Sequence, residues 1–252
     1  MKNILIIGSA GFLGNSIVKY FCKKYQLYCA DINKKGLHYL KNKNKNIKIV
    51  RLNISKESEV RKYFLLMKRK KIFFEHIINL AAIDAKPNLN KNNQIYIENK
   101  KIWMKEIEVS LNGNLNLFKY FGKEMTIKKR GKIIIIGSDL SVIAPNQNIY
   151  KRAFKNYLKP PSYTIIKHSL VGMIKYYASM YAEFNVNVNM VSPGPIYNNQ
   201  SKKFINDLKK IIPAKRMAKI EDIIPCIEFL LNEKNSYING QNILIDGGRT
   251  II

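Results

Sequence analysis

Ser138, Tyr163 and Lys167 are the residues of this sequence best suited to acid–base chemistry on a polar substrate. Tyr163 and Lys167 are four positions apart near the start of a predicted helix, so they share one helical face and the ammonium group can approach the phenol. A free tyrosine has a pKa of about 10, and a nearby positive charge favours the phenolate. The spacing therefore predicts a lowered pKa for Tyr163 and proton transfer near neutral pH, while the Ser138 hydroxyl would hydrogen-bond a substrate carbonyl oxygen.

The interval between Tyr163 and Lys167 is a weak signal by itself, because lysine is common throughout the chain. Tyr163 is distinguished by its position in the helix that follows the strand ending before Ser138, since open α/β sheets hold their ligands at the carboxyl ends of strands. The same interval occurs in three further pairs, which we assign to solvated helices or loops: Tyr20 with Lys24, Tyr39 with Lys43, and Tyr96 with Lys100.

Short β-branched segments alternate with longer amphipathic segments along the chain. This pattern predicts an α/β fold of the Rossmann type, a doubly wound parallel sheet of about seven strands with helices on both faces, as a single domain over residues 1–252. The predicted strands are Asn3–Ile7, Leu27–Asp31, Ile47–Leu52, His76–Leu80, Lys132–Ile136, Asn187–Val191 and Asn242–Ile245. The predicted helices are 12–25, 56–70, 99–128, 162–184 and 221–232, with a less regular segment at 200–212 and a mobile surface turn at Lys41–Asn46.

A glycine-rich segment follows the first predicted strand and leads into the first predicted helix. In that context glycine lets the backbone approach a pyrophosphate, and the N–H groups at the helix start stabilise its negative charge. The residues of this segment that we predict to bind the cofactor are Gly8, Ser9, Gly11, Phe12, Leu13 and Gly14.

Two further segments are predicted to contact the same dinucleotide. Asp31, at the end of the second strand, can accept hydrogen bonds from the adenosine ribose and would repel a 2′-phosphate. We therefore expect NAD as the cofactor, with NADP as the weaker alternative. After the fourth strand, Ala81 and Ala82 offer small side chains where the backbone passes close to a flat group.

Composition narrows the possible partners. The formal net charge is +27, but lysines are spread over nearly every segment, so we expect no specific nucleic-acid partner. Apolar runs such as Ile133–Ile136 are far shorter than the roughly 20 residues that cross a bilayer, and no secretory signal is apparent; we expect a cytoplasmic protein without a membrane partner. Cys22, Cys29 and Cys226 lack metal-ligand spacing, and no metal is predicted.

Taken together, these segments resemble the short-chain dehydrogenase/reductase family over essentially the whole chain. The segment from Val191 to Ile196 is similar to the family's proline–glycine segment along the nicotinamide, and Gly240–Gly248 is similar to its last strand and terminal turn. The resemblance implies hydride transfer between the nicotinamide and a carbonyl or hydroxyl carbon of a small-molecule substrate. It also implies a homodimer or homotetramer, paired through the helix from 99 and the helix of Tyr163.

The resemblance extends the set of expected site residues beyond the glycine-rich segment. Ser110 stands where many members carry an asparagine that anchors a water in the proton relay, and either Ser110 or Asn112 could take over that role. Asn53 stands where an aspartate usually meets the adenine amino group. The further cofactor contacts that the resemblance implies are Asn53, Ile54, Tyr163, Lys167, Pro193, Gly194 and Ile196.

Two departures from the family bear on the substrate. Glycines at 8, 11 and 14 follow the spacing of the family's longer, epimerase-like branch, whereas the length and C-terminus match the shorter oxidoreductases. The interval 139–162, between Ser138 and Tyr163, is longer than is usual in the family, and the insertion that it contains should border the substrate pocket. Its motifs resemble oxidoreductases of flagellin modification and surface-polysaccharide synthesis, which suggests a phosphorylated or nucleotide-linked sugar.

Three functions therefore remain open at the level of sequence. The favoured one is net oxidation or reduction of a sugar carbonyl or hydroxyl. An epimerase or dehydratase would retain NAD without net turnover. A non-catalytic dinucleotide-binding or RNA-associated protein would be indifferent to loss of Tyr163 and Lys167.

Overall fold

The isoleucine- and valine-rich segments form one parallel sheet at the centre of the molecule. A computed structural model describes residues 1–84 and 100–252; Tyr96 and the predicted helix start at 99 lie outside the described residues. The sheet order is β3-β2-β1-β4-β5-β6-β7, and each neighbouring pair is parallel. The strands are β1 Asn3–Ile7, β2 Gln26–Asp31, β3 Lys48–Arg51, β4 His76–Asn79, β5 Gly131–Ile136, β6 Val186–Pro193 and β7 Asn242–Ile245.

Helices connect the strands and cover both faces of the sheet. They are α1 Phe12–Phe21, α2 Lys34–Lys43, α3 Glu57–Arg69, α4 Lys100–Ile107, α5 Gly113–Leu117, α6 Lys123–Ile127, α7 Gln147–Ala153, α8 Pro161–Tyr181, α9 Lys202–Ile211 and α10 Ile220–Leu231. The π-helical turns Glu108–Asn112 and Phe118–Gly122 join α4, α5 and α6 into one helical run. The predicted single-domain, doubly wound sheet of seven strands is confirmed.

The alternation of side chains along each strand divides the core into two layers. In β1, Leu5 and Ile7 face a layer shared with α3, the helical run of α4 to α6, and α8, whereas Ile4 and Ile6 face a layer shared with α1, α2 and α10. These side chains are almost completely buried, so a one-residue slip of the strand would expose an entire apolar set. This register fixes which loops meet at the carboxyl edge of the sheet.

Two helices were not predicted from the pattern. Helix α2 buries only Leu37 and Leu40, and its remaining residues are largely lysine and other polar residues, so its apolar periodicity is weak. The Asn33 side chain caps it by accepting a hydrogen bond from the Gly36 amide (3.0 Å). The helix continues to Lys43 through part of the predicted surface turn, whose assignment to Lys41–Asn46 was therefore wrong in its first half. Helix α7 lies in the insertion, where no helix was predicted.

The helices of the described part of the chain do not include one both long and apolar enough to cross a membrane.

Candidate active site

The turn between β1 and α1 is shaped by glycines whose backbones are tightly packed. Gly8 has φ of +75°, a conformation that glycine adopts at little cost. A Cβ on Gly8 would lie 2.9 Å from the backbone nitrogen of Ala81, and a Cβ on Gly14 would collide with the Gly8 carbonyl oxygen. The turn therefore lies directly against the segment that follows β4, while the contact of Ala81 with the cofactor stays a prediction.

The start of helix α1 fits the phosphates of a dinucleotide. Helix α1 begins at Phe12 after Gly11, and no side chain caps it, so the first amide N–H groups are available to an anion. Leu13 is half-buried beside the core, and Ser9 is fully buried, with its hydroxyl donating to the Ala30 carbonyl (3.2 Å). The Ser9 amide donates to the same carbonyl oxygen (3.2 Å), so Ser9 supports the turn with both groups and its predicted cofactor contact stays a prediction.

Asp31 is fixed at the position from which a carboxylate can accept hydrogen bonds from a ribose. One carboxylate oxygen accepts from the Ala10 amide and the other from the Asn33 amide, both at 2.9 Å. Each oxygen keeps a further lone pair, so the carboxylate can still accept from two ribose hydroxyls. Together with the uncapped helix, this donor and acceptor set fits an adenosine diphosphate group.

Two further residues predicted to contact the cofactor, Asn53 and Ile54, make contacts within the protein. The Asn53 side-chain oxygen accepts hydrogen bonds from the Ser55 amide (3.1 Å) and hydroxyl (2.8 Å), which stabilises the turn into α3. Ile54 is buried against Gly113, because a Cβ added to Gly113 would lie 2.7 Å from the Ile54 side chain. Ala82, by contrast, is exposed at the edge of the sheet. The roles of Asn53 and Ile54 toward the cofactor therefore stay predictions.

A chain of buried amides crosses the region predicted to hold the proton relay. The Asn79 side chain donates to Asn114 (2.7 Å), and Asn114 donates to the carbonyl oxygen of Ser110 (2.6 Å). Ser110 is buried in the first π-helical turn, whereas Asn112 is exposed. The structure thus favours Ser110 over Asn112 at this position, and it adds Asn114, which the sequence reasoning missed although it is one helical turn after Ser110.

Ser138, Tyr163 and Lys167 come together at the carboxyl end of β5. The Ser138 side chain hydrogen-bonds Tyr163, and the Lys167 ammonium lies 5.6 Å from the centroid of the Tyr163 ring. Lys167 also donates to the carbonyl oxygen of Ile136, the last residue of β5 (3.0 Å). The Ser138 hydroxyl donates to the adjacent Asp139 carboxylate (3.1 Å). The predicted catalytic group is therefore assembled on one strand end and one helix start.

The prediction that the pKa of Tyr163 is lowered was wrong. Burial raises the pKa of Tyr163 well above its ordinary value, and the negative charge of Asp84 raises it further, while the hydrogen bond with Ser138 lowers it. Burial also acts on Lys167, whose pKa is lowered to about 8; Lys159 lowers it too, and Asp84 opposes both. Loss of hydration outweighs the helical proximity on which the prediction rested.

A buried ion pair ties the catalytic strand end to the C-terminal segment. Arg249 donates to the carboxylate of Asp139, and their side chains are 5% and 3% exposed. Burial raises the pKa of Asp139, whereas Arg249 and Ser138 lower it. Arg249 directly follows the terminal turn recognised in the sequence, but neither member of the pair was predicted, because the two residues are far apart in the chain.

The proline–glycine segment begins within β6 and continues past its end, and its contact with the nicotinamide stays a prediction. Pro193 ends β6, and the Gly194 amide donates to the Ile245 carbonyl at the end of β7 (2.9 Å). A Cβ on Gly194 would lie 2.8 Å from the Cα of Asp246, so the segment and the terminal turn are in direct contact. Ile196 continues from this segment and pairs with Ala218.

The insertion reaches the same edge of the sheet through Lys159, and its role as a wall of the substrate pocket stays a prediction. Its helix α7 packs against α9 through an apolar cluster that contains Ile149 and Phe204, and Arg152 pairs with Asp207 across the two helices (3.2 Å). Its last residues include Lys159, whose ammonium lies 4.1 Å from the centroid of the Tyr163 ring. Lys159 pairs with Asp84, which follows β4.

The fold and site define a dinucleotide-dependent oxidoreductase built on a Rossmann-type sheet. Residues 11–250 match the family described as Enoyl-(Acyl carrier protein) reductase. The chain is 28% identical to the NAD-dependent glycerol dehydrogenase of Listeria innocua, over 99% of this chain and 94% of that protein. It is 31% identical to the 3-oxoacyl-[acyl-carrier-protein] reductase of Buchnera aphidicola subsp. Baizongia pistaciae, over 93% of this chain and 87% of that protein.

The structural comparison agrees with the sequence comparison. The crystal structure of a short chain dehydrogenase from Leptospira borgpetersenii with bound NAD+ superposes with a TM-score of 0.86 at 27% identity, over 99% of this chain and 92% of that one. This chain therefore belongs to the short-chain dehydrogenase/reductase family. It is an enzyme that acts on alcohol or ketone substrates with NAD or NADP.

Proposed function

We propose that this enzyme interconverts a secondary alcohol and a ketone on a small hydroxylated substrate, with NAD as its cofactor. The observation that carries the proposal is the contact of Ser138 with Tyr163, beside Lys167, at the sheet edge that also holds the glycine turn. A dinucleotide bound along α1 would extend along this edge toward the catalytic group.

The chain's own residues supply binding and proton transfer. In ketone reduction the substrate carbon gains a hydride and its oxygen gains the phenolic proton of Tyr163; the reverse reaction returns both. When bound, the nicotinamide supplies or accepts the hydride. Because the raised pKa keeps Tyr163 protonated at neutral pH, the phenol is ready to donate to a ketone oxygen. Ser138 turns its hydroxyl from Asp139 toward that oxygen and stabilises its developing charge.

The preference for NAD rests on Asp31. Its carboxylate, held by two backbone amides, would stand next to the 2′ position of the adenosine ribose, where a phosphate would be repelled. The glycerol dehydrogenase of Listeria innocua is named as NAD-dependent, and the Leptospira enzyme was crystallised with NAD+, which supports the same preference.

The substrate proposal is a polyol or sugar rather than an acyl thioester. The Listeria relative, which matches 99% of this chain, is named for its action on glycerol, and the polar pair of Lys159 and Asp84 suits a hydroxylated molecule. A phosphorylated or nucleotide-linked sugar of surface glycans or flagellin is a narrower possibility. None of the relatives named above is a flagellin- or polysaccharide-modifying enzyme, so that possibility rests on the sequence motifs alone.

A homodimer or homotetramer in the cytoplasm is part of the proposal. Exposed apolar side chains on the two helices implied in pairing support it: Ile102, Met104, Leu115, Ile165, Tyr176 and Met180. Light scattering of the purified protein would measure the number of subunits, and a monomer would contradict this part.

Calorimetry with NADH and NADPH tests the cofactor assignment. We expect tighter binding of NADH, and in Asp31→Asn a loss of that preference because the negative charge is gone while the side-chain shape is kept. A screen of polyols and sugars should then show stoichiometric formation of NADH, which an NAD-retaining epimerase would not produce. Failure to bind either dinucleotide would overturn the proposed function.

A further inference from the structure

Lys159 is an unusual residue to find beside a catalytic tyrosine. Its side chain is 7% exposed, and its ammonium lies 4.1 Å from the centroid of the Tyr163 ring. Lysine is rarely buried without a partner, because loss of hydration penalises its charge. Tyr163 and Lys167 already account for proton transfer, so the catalytic step leaves Lys159 without an assigned role.

The position of Lys159 is built into the insertion. The Gln147 side chain donates to the Lys159 carbonyl and accepts from the Lys159 amide, both at 2.9 Å. Pro160 follows directly at the N-cap of helix α8, and Pro161 begins that helix, so the backbone is restricted further. These contacts fix the backbone from which the Lys159 side chain reaches the Tyr163 ring.

The partner of Lys159 is much less confined. Asp84 pairs with Lys159, but its side chain is 54% exposed. If the pair separates, water can hydrate the carboxylate of Asp84, whereas the buried ammonium of Lys159 still needs an anion. The pair is therefore suited to an exchange in which another carboxylate replaces Asp84.

We propose that Lys159 binds a carboxylate of the substrate in place of Asp84, so that the enzyme selects hydroxy or keto acids over neutral polyols. This proposal rests on the proposed function and names its substrate class more closely. The ammonium lies against the ring that bears the catalytic phenol, so the substrate's carboxylate must be close along the carbon chain to the reacting carbon. A carboxylate matches Asp84 in charge and in its two acceptor oxygens, whereas a phosphate dianion would add uncompensated charge.

The test compares acids with neutral molecules of the same carbon skeleton. The probes are D-glycerate against glycerol and D-gluconate against D-glucitol, with D-glucitol 6-phosphate as the phosphate counterpart. Turnover is followed by NADH formation, and binding of each acid to the NADH-saturated protein is measured by calorimetry. We expect at least one acid to have a KM roughly tenfold below that of its neutral counterpart, as for one charge-assisted hydrogen bond.

Variants separate anion binding from a structural role. Below the pH range in which Lys167 loses its charge, Lys159→Gln should raise KM and Kd for the acids roughly tenfold relative to those for the neutral molecules, whereas Lys159→Arg should retain acid binding. Asp84→Asn should lower both constants for the acids, because it removes the competing carboxylate. A purely structural pair would make Lys159→Gln and Asp84→Asn change binding in the same direction. Lys151→Gln, an exposed lysine of α7, controls for the loss of one positive charge.

The outcomes distinguish this inference from the proposed function. If the protein binds NADH but prefers no acid over its neutral counterpart, the carboxylate site is overturned. The same holds if Lys159→Gln does not change acid binding. In both cases the proposed oxidoreductase function still stands. A stronger response with D-glucitol 6-phosphate than with either acid would overturn the carboxylate assignment. Absence of NADH binding in the unaltered protein would instead contradict the proposed function itself.

Discussion

The two ends of the active site are held together by different forces. At the cofactor end, glycine backbones pack against one another, and Asp31 is fixed by two amide N–H groups from residues close to it in sequence or in the adjoining turn. At the substrate end, buried charges from distant parts of the chain meet around Tyr163. The cofactor end therefore tolerates almost no added volume, whereas the substrate end depends on which charges remain paired.

The largest effect should follow from removing the proton donor at the substrate end. Tyr163→Phe keeps the ring and the contact with Lys159 but removes the phenolic proton, so turnover should fall by roughly 10²- to 10⁴-fold. NADH binding, measured by calorimetry, should change little. Tyr20→Phe is the matched control, because Tyr20 has the same interval to a lysine but lies on the surface, bonded to Glu228. Comparable activity of both variants would refute the catalytic assignment.

Breaking the buried pair between Asp139 and Arg249 should give the next largest effect. Arg249→Met leaves the buried carboxylate of Asp139 without its cation, and we expect a loss of about 3–5 kcal/mol in the free energy of unfolding. Adding Asp139→Asn should recover much of that stability, since no uncompensated charge is then left. Urea unfolding of the single and double variants measures both effects. A single variant as stable as the unaltered protein would show that the pair contributes little.

At the cofactor end the corresponding test adds one methyl group. A Cβ at Gly14 collides with backbone atoms of Gly8 and Ser9, so Gly14→Ala should distort the turn and weaken NADH binding at least tenfold. Gly172 in helix α8 has no atom within 4 Å of its added Cβ. Gly172→Ala should therefore leave binding unchanged and stabilise the helix by about 0.5–1 kcal/mol. Equal NADH affinity of the two variants would show that the Gly14 turn does not shape the dinucleotide site.

The same contrast explains what the sequence could and could not predict. The sheet, the glycine turn, Asp31 and the group of Ser138, Tyr163 and Lys167 follow from periodicity and from spacing within single βα units, and all lie where they were expected. The pairing of Lys159 with Asp84, and of Asp139 with Arg249, joins segments 75 and 110 residues apart. No local pattern encodes such contacts, and the wrong direction for the pKa of Tyr163 has the same cause, because burial depends on the whole fold.

The smallest expected effect concerns the charge of Lys167 at the substrate end. Burial lowers the pKa of Lys167 to about 8, so its positive charge is lost as the pH rises through that value. The activity of the free enzyme, given by kcat/KM, should decline over the same range, because the neutral amine no longer stabilises the phenolate of Tyr163.

Variants of the two neighbouring charges should move this decline in opposite directions. Lys159 lowers the pKa of Lys167 and Asp84 raises it. In Lys159→Gln the decline should therefore shift to higher pH, and in Asp84→Asn to lower pH, each by a fraction of a unit. Measuring kcat/KM for a neutral substrate removes any direct effect of anion binding. Shifts of the pH profile in the same direction, or no shift in either variant, would show that the charges of Lys159 and Asp84 do not act on Lys167. The substrate end would then be stabilised by packing, as the cofactor end is.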